Sequence, residues 1–204
     1  MIKRIALILY TTLALMLAAS AQNLYAQEQS SLSVDNQLKL GASIVYSPDS
    51  FAAWGKIKNS RAISFRGQVW HTKMQLGRFT PRFGSELIIT HRLHYPVNGI
   101  NGPRDIRTGF GLVPLKMLVP FSDSGFVPFM TFSAGGIFLN DKLPAGDGAS
   151  LNYLLNISTG FEIPVGNRLD LQVGYGIQHM SNGNSGTLNP GIDSHSIFFT
   201  FIFS

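Results

Sequence analysis

The residues Leu151-Asn152-Tyr153-Leu154-Leu155-Asn156-Ile157-Ser158-Thr159-Gly160-Phe161-Glu162-Ile163 decide the fold class. Leu151, Tyr153, Leu155, Ile157, Phe161 and Ile163 fall on one side of a period of two, and Asn152, Asn156, Ser158, Gly160 and Glu162 on the other. That period belongs to a strand with one apolar and one polar face. The next segment repeats it, with Leu169, Leu171, Val173, Tyr175 and Ile177 against Asp170, Gln172, Gly174, Gly176 and Gln178. In the last segment Ile197, Phe199, Phe201 and Phe203 share a face. Working outward, similar runs broken by Gly, Pro, Asn and Asp place eight strands, near 38–47, 61–72, 83–95, 106–119, 126–139, 150–163, 167–181 and 193–203. Pro114 and Pro128 soften the bounds of the fourth and fifth.

Which face looks outward follows from composition. The 204 residues include 16 Lys+Arg and 11 Asp+Glu, 13% charged, yet 45% are hydrophobic. Soluble domains carry roughly 25% charged residues, so neither a disordered chain nor an ordinary cytosolic domain fits. The polar rows hold Gly, Asn and Gln with single charges such as Glu86, Arg92, Glu162 and Asp170, whereas a water-facing surface shows far more Lys and Glu. Small polar groups suit the narrow interior of an eight-stranded barrel. The expected fold is therefore an all-β, eight-stranded antiparallel transmembrane barrel with apolar rows towards lipid. Its links alternate: 73–82, 122–125 and 165–166 are the shorter ones, and 48–60, 96–105, 140–149 and 182–192 the longer. Short periplasmic turns and long external loops give this pattern.

The N-terminus supplies the address. Lys3 and Arg4 precede an apolar run from Ile5 to Ala19, and small-x-small sites end at Ala21 and Ala26. This is the pattern of a cleaved secretory signal, too short to span a bilayer. Residues 1–26, cut after Ala26 or Ala21, are expected to be removed, leaving 27–204 as a barrel in the bacterial outer membrane. The mature chain stays modestly basic with scattered cations, which suits an anionic lipid surface and not nucleic acid. Zero cysteines exclude disulfides, thiolate metal sites and cysteine nucleophiles. Five histidines without grouped acids make no zinc site, and no phosphate-binding glycine loop lies in a strand-turn-helix setting. No cofactor is expected.

Chemistry concentrates in Gln178-His179-Met180-Ser181-Asn182 and Asn189-Pro190-Gly191-Ile192-Asp193-Ser194. His179 and Ser181 are two apart on one strand, so both face one way with Cα atoms roughly 6.5 Å apart. A histidine there can act as general base towards the hydroxyl. Asp193 opens the neighbouring antiparallel strand and can hold the other ring nitrogen. By parity all three continue outward, lipid-facing rows at the external rim, where a His, a Ser and an Asp make sense if they act on lipid. His195 shares that parity and competes for Asp193. His71 beside Trp70, and His91 and His94 near Tyr95, suit an interfacial belt.

These two segments, with His195-Ser196-Ile197-Phe198-Phe199, resemble the C-terminal hairpin of the PagL family, outer-membrane lipid A 3-O-deacylases also grouped as acyloxyacyl hydrolases. The resemblance implies an eight-stranded barrel with an outward Ser-His-Glu triad and lipid A of lipopolysaccharide as substrate. On it His179 is the base, Ser181 the nucleophile and Asp193 the acid, while Asn182 and Asn189 support the site or its oxyanion hole. Asp193 departs from the usual Glu, so Asp193→Glu is expected to match or exceed the native rate. The terminal Ser204 departs from the usual aromatic residue. The function expected is a serine ester hydrolase on lipid A; the alternatives are a phospholipase and a non-catalytic structural or adhesive barrel. The partners are membrane lipid and lipopolysaccharide; the oligomeric state, homodimer included, stays open.

Overall fold

The computed structural model describes residues 34–36, 38–76, 79–122 and 125–203. The leader expected over 1–26, most of the segment before the first strand and Ser204 lie outside these. Eight long strands form the ring: β2 (Lys39–Ser47), β4 (Arg61–Met74), β5 (Arg82–Pro96), β6 (Arg104–Pro120), β7 (Val127–Leu143), β8 (Ala149–Gly166), β9 (Leu169–Ser181) and β10 (Ile192–Phe203). Each is antiparallel to the next, and β10 pairs with β2 to close the barrel. Two short strands add to it: β1 (Val34–Asp35) on the far end of β4, and β3 (Ser50–Phe51) beside the start of β10.

The eight expected strands all form. The largest difference is at 140–149, expected as a long loop: β7 runs on to Leu143 and β8 starts at Ala149, leaving 144–148 as the connection. Polar residues such as Asn140, Asp141 and Lys142 read as loop, but a hairpin rising above the sheet's apolar band has no need of apolar side chains. Pro114 sits in a bulge between Leu112 and Leu115, and Pro128 near the start of β7, the two settings a sheet allows it.

The outer wall is apolar. Leu151, Tyr153, Leu155, Ile157, Tyr175, Ile177, Phe199 and Phe201 are all exposed, the inverse of a soluble barrel. The interior is layered. At mid-height Glu86 accepts from Arg66 (2.8 Å), Lys116 (2.7 Å) and Gln68 (3.1 Å), and Arg66 also donates to Gln178 (3.1 Å). Towards the turn end lie Trp70, Leu118, Phe129 and Ile202, and Gly174 leaves room for the Phe198 ring, which a Cβ there would meet at 2.4 Å. Towards the loop end lie Leu93, Tyr95, Ile137, Leu139, Leu154 and Met180. The expected polar interior is thus a polar middle between two apolar plugs. Plugs that exclude water require the enclosed charges to pair with one another. His91 belongs inside: it is 2% exposed and its Nδ1 meets Ser64 Oγ at 2.8 Å. Its parity is that of buried Leu93 and Tyr95, so it is no belt residue; Trp70, 2% exposed, is likewise interior.

Candidate active site

The β9–β10 register sets Asp193 directly opposite His179. Directly opposed Cα atoms lie roughly 4.5–5.5 Å apart, so a short acid spans the gap. His179 Nδ1 lies 2.6 Å from Asp193 Oδ1. A carboxylate only accepts, so Nδ1 donates in this contact and Nε2 is the ring nitrogen left free of Asp193.

The second carboxylate oxygen shows what holds the acid. Asp193 Oδ2 accepts three successive backbone N–H groups: Ala53 (3.0 Å), Trp54 (2.6 Å) and Gly55 (2.6 Å). Consecutive N–H groups converging on one oxygen form an anion nest. The segment is pinned beside the second loop of the site, 182–191 between β9 and β10, Lys56 N donating to Pro190 O (2.7 Å) and Ile57 N to Gly191 O (3.2 Å). Gly55 passes so close that a Cβ would fall 2.8 Å from the Gly191 carbonyl. Gly191 has φ +64° and abuts His179, a Cβ there reaching Cε1 at 3.2 Å. Trp54 stands edge-on to the imidazole, centroids 5.9 Å apart at 81°. Asp193 keeps outward parity but is 1% exposed, because the 48–60 loop folds over it. In the sequence that loop reads as a plain connection; backbone donors have no side-chain signature, and Gly55 alone hints at a close approach.

Ser181 follows two residues after His179 on β9 and is half-buried, packed beside Asn189, Pro190 and Gly191. Among the described residues no hydrogen bond joins its hydroxyl to the imidazole, whose Nδ1 is committed to Asp193. Catalytic contacts of this kind are often open without substrate. The two asparagines meet each other. Asn189 Oδ1 accepts from Asn182 N (3.0 Å), and Asn189 Nδ2 donates to Asn184 Oδ1 (3.1 Å). Asn182, 1% exposed, gives its Nδ2 to Leu188 O (2.7 Å). Together they shape the turn after Ser181, and Asn189 retains a second N–H. His195 stands apart from Asp193: its Nδ1 meets Tyr175 Oη, and its ring stacks on Phe51 with centroids 4.3 Å apart.

From His179 and Trp54 an open groove of about 690 Å³ crosses the outer wall. Leu155, Ala134, Leu115 and Phe132 line it, down to Phe83 on β5. Its wall is almost wholly apolar, so the histidine is a polar group at the head of a slot that fits a hydrocarbon chain.

The family model for lipid A 3-O-deacylases (PagL) matches residues 60–201. Among solved structures, the crystal structure of the outer membrane enzyme PagL is similar at a TM-score of 0.55 with 16% identity, covering 78% of this chain and 97% of that one. Neisserial surface protein A (NspA) is similar at 0.53 with 12% identity, covering 84% and 98%. No curated protein sequence matches. Both structural likenesses carry the barrel fold; the family model, spanning β4 to β10, carries the assignment. The chain belongs to the PagL family of lipid A 3-O-deacylases.

Proposed function

We propose that this protein is an outer-membrane serine esterase that removes an ester-linked acyl chain, the 3-O chain by family, from lipid A. The observation carrying the reading is a histidine whose Nδ1 meets a nested carboxylate, two residues from a serine and at the head of an apolar groove on the outer wall. A barrel alone would not argue for catalysis, since one fold serves many functions. A structural or adhesive barrel has no use for three backbone N–H groups gathered on the acid behind a histidine.

In this mechanism the acyl chain lies along the groove and its ester carbonyl stands over Ser181. Rotation of the serine side chain brings Oγ to His179 Nε2, which takes the hydroxyl proton as Oγ bonds to the carbonyl carbon. Asp193 stabilises the imidazolium. The oxyanion is met by the second N–H of Asn189 and by the Gly183 N–H, since the Asn182, Asn184 and Ser185 amides of that turn are already given to Asn189 Oδ1, Asn182 Oδ1 and the Asn182 carbonyl; each donor is worth roughly 3–4 kcal/mol in comparable sites. The sugar oxygen leaves with the proton from Nε2. Water, deprotonated by the same nitrogen, then cleaves the acyl-enzyme to free fatty acid and Ser181. None of these steps uses a cofactor.

Mass spectrometry of lipid A from cells with and without the protein tests this. The expected result is loss of one hydroxyacyl mass, absent with Ser181→Ala. Unchanged lipid A alongside cleaved phospholipid would replace the reading with a phospholipase.

A further inference from the structure

On the wall opposite the site, four outward-facing groups meet at the loop end. The β4–β5 register sets Arg61 directly across from His94, and Arg92 lies two residues along β5 on the same face. On β6, Arg104 is two residues from Ile106, the cross-strand partner of His94. Neighbours so related have Cβ atoms roughly 5–8 Å apart, and all three guanidiniums are within electrostatic reach of the His94 ring. Arg61, Arg92 and Arg104 are exposed and His94 half-buried; Arg92, expected in the inward polar row, faces out because buried His91 and Leu93 on either side of it take the interior face. Like charges this close repel, and among the described residues no carboxylate offsets them. The nearest acid in sequence, Asp105, turns to Arg107 (2.6 Å) and Tyr95 (3.4 Å) instead. Arg104 is held in place by the Asn59 carbonyl (2.6 Å), while among the described residues the Arg61 and Arg92 side chains have neither ion pair nor hydrogen bond. Below them the same face turns apolar, with Ile63, Phe65, Ile89 and Phe110 exposed.

We propose that Arg61, Arg92 and Arg104 form a binding site for the phosphate of an outer-leaflet lipid, whose chains lie on the apolar face beneath. Guanidinium groups match phosphate oxygens bidentately, and a phosphate among them converts mutual repulsion into shared attraction. The site is separate from catalysis. The groove meets β5 only at Phe83, near the turn end, whereas Arg92 and His94 stand at the loop end of that strand, four strands from β9 either way round the ring, so a lipid held here is not the one presented to Ser181. It is a fixed boundary lipid that orients the barrel in the leaflet. The inference rests on the membrane-embedded reading of the outer wall.

The test uses the full mature barrel in detergent with Ser181→Ala, so that no bound lipid is hydrolysed, and native mass spectrometry to count retained lipids. Dioleoyl phosphatidic acid is the probe and dioleoyl phosphatidylcholine the reference. The expected result is selective retention of phosphatidic acid, weakened about 100-fold by Arg61→Ala, Arg92→Ala and Arg104→Ala together. Lysine at the three positions should give an intermediate loss, since it keeps charge without the fork. Heat-modifiable gel mobility checks that each variant folds. Equal retention by the triple alanine variant overturns the proposal. So does an equal loss from Lys56→Ala, Lys58→Ala and Lys142→Ala, which would make the attraction a diffuse rim potential. Displacement of the lipid by equimolar inorganic phosphate also overturns it, by making the ligand a free anion. Flotation with pure phosphatidylcholine vesicles separates the premise: a barrel that fails to float refutes the membrane reading and the site together, whereas one that floats without selecting phosphate refutes the site alone.

Discussion

Asp193 is where the structure changes the expected outcome of an experiment. In Asp193→Asn the amide oxygen can still accept from Ala53, Trp54 and Gly55, so the loop keeps its place. The amide NH2 then points at His179 Nδ1, which must accept, and the ring proton moves to Nε2, the nitrogen that should receive the serine proton. In a serine protease triad the equivalent change costs about 10⁴ in turnover. A partly solvated acid would soften that figure, but Asp193 is 1% exposed, so a fall of roughly 10³–10⁴ in kcat is expected. Asp193→Glu is no longer expected to help. Oδ1 already sits 2.6 Å from the ring and Oδ2 2.6 Å from two N–H groups, so no space remains for another methylene. Overpacking an enclosed site costs about 1–3 kcal/mol, which, if it falls on the geometry of the reacting state, is roughly a 5- to 150-fold loss of rate. Fatty-acid release from lipid A in mixed micelles, with kcat and KM resolved and folding checked by gel shift, reads both. A glutamate variant at or above the native rate would refute the idea that the nest sets the acid's position.

Three further outcomes follow from the same contacts. Ser181→Ala should abolish hydrolysis while the barrel still shows heat-modifiable mobility; near-native deacylation would move the nucleophile to Ser194 or Ser196. Gly55→Ala pushes a Cβ to 2.8 Å from Gly191 and should lift the nest, lowering kcat about 10-fold or more with little change in thermal unfolding; unchanged kcat would mean the loop tolerates the shift. Glu86→Ala strands Arg66 and Lys116 inside the barrel and should destabilise it by about 3–5 kcal/mol, read as a lower unfolding temperature in detergent.

The ring of eight strands was legible because lipid outside and a filled interior force a period of two on every strand, and β8 and β9 obey it almost without exception. Legibility failed where that constraint lapses. Asn140–Lys142 continue β7 above the apolar band, where polar contacts to β6 decide and burial does not: Thr108 N donates to Asn140 Oδ1 and Arg107 Nε to the Lys142 carbonyl. Trp70 and His91 mislead by company: beside His71 and Tyr95 they suit the belt, whereas parity with Gln68 and Leu93 sends both inward. The pairing of His179 with Asp193 could be anticipated from spacing, because opposition across β9–β10 follows from the hairpin register. The nest could not: its donors are main-chain N–H groups of Ala53, Trp54 and Gly55, some 140 residues from the acid they hold.

Putting a histidine and a carboxylate on a barrel's outer wall sets a problem that the loop solves. A carboxylate facing hydrocarbon would protonate or draw in water, since an unpaired buried charge costs several kcal/mol. Here one oxygen meets the imidazole and the other meets three N–H groups, so the charge is compensated on both sides before lipid is reached. Trp54 then presents its indole to the groove, so the cover over the acid is also part of the groove wall. The same geometry accounts for aspartate where the family usually has glutamate. With the register fixed, the ring nitrogen is one short side chain away, and the loop has closed down to meet the remaining oxygen. A longer acid would need the 53–57 segment further out, together with its Lys56 and Ile57 bonds to the second loop. Acid length and loop position are therefore a single coupled choice, which is why changing the acid alone is expected to cost rate in either direction.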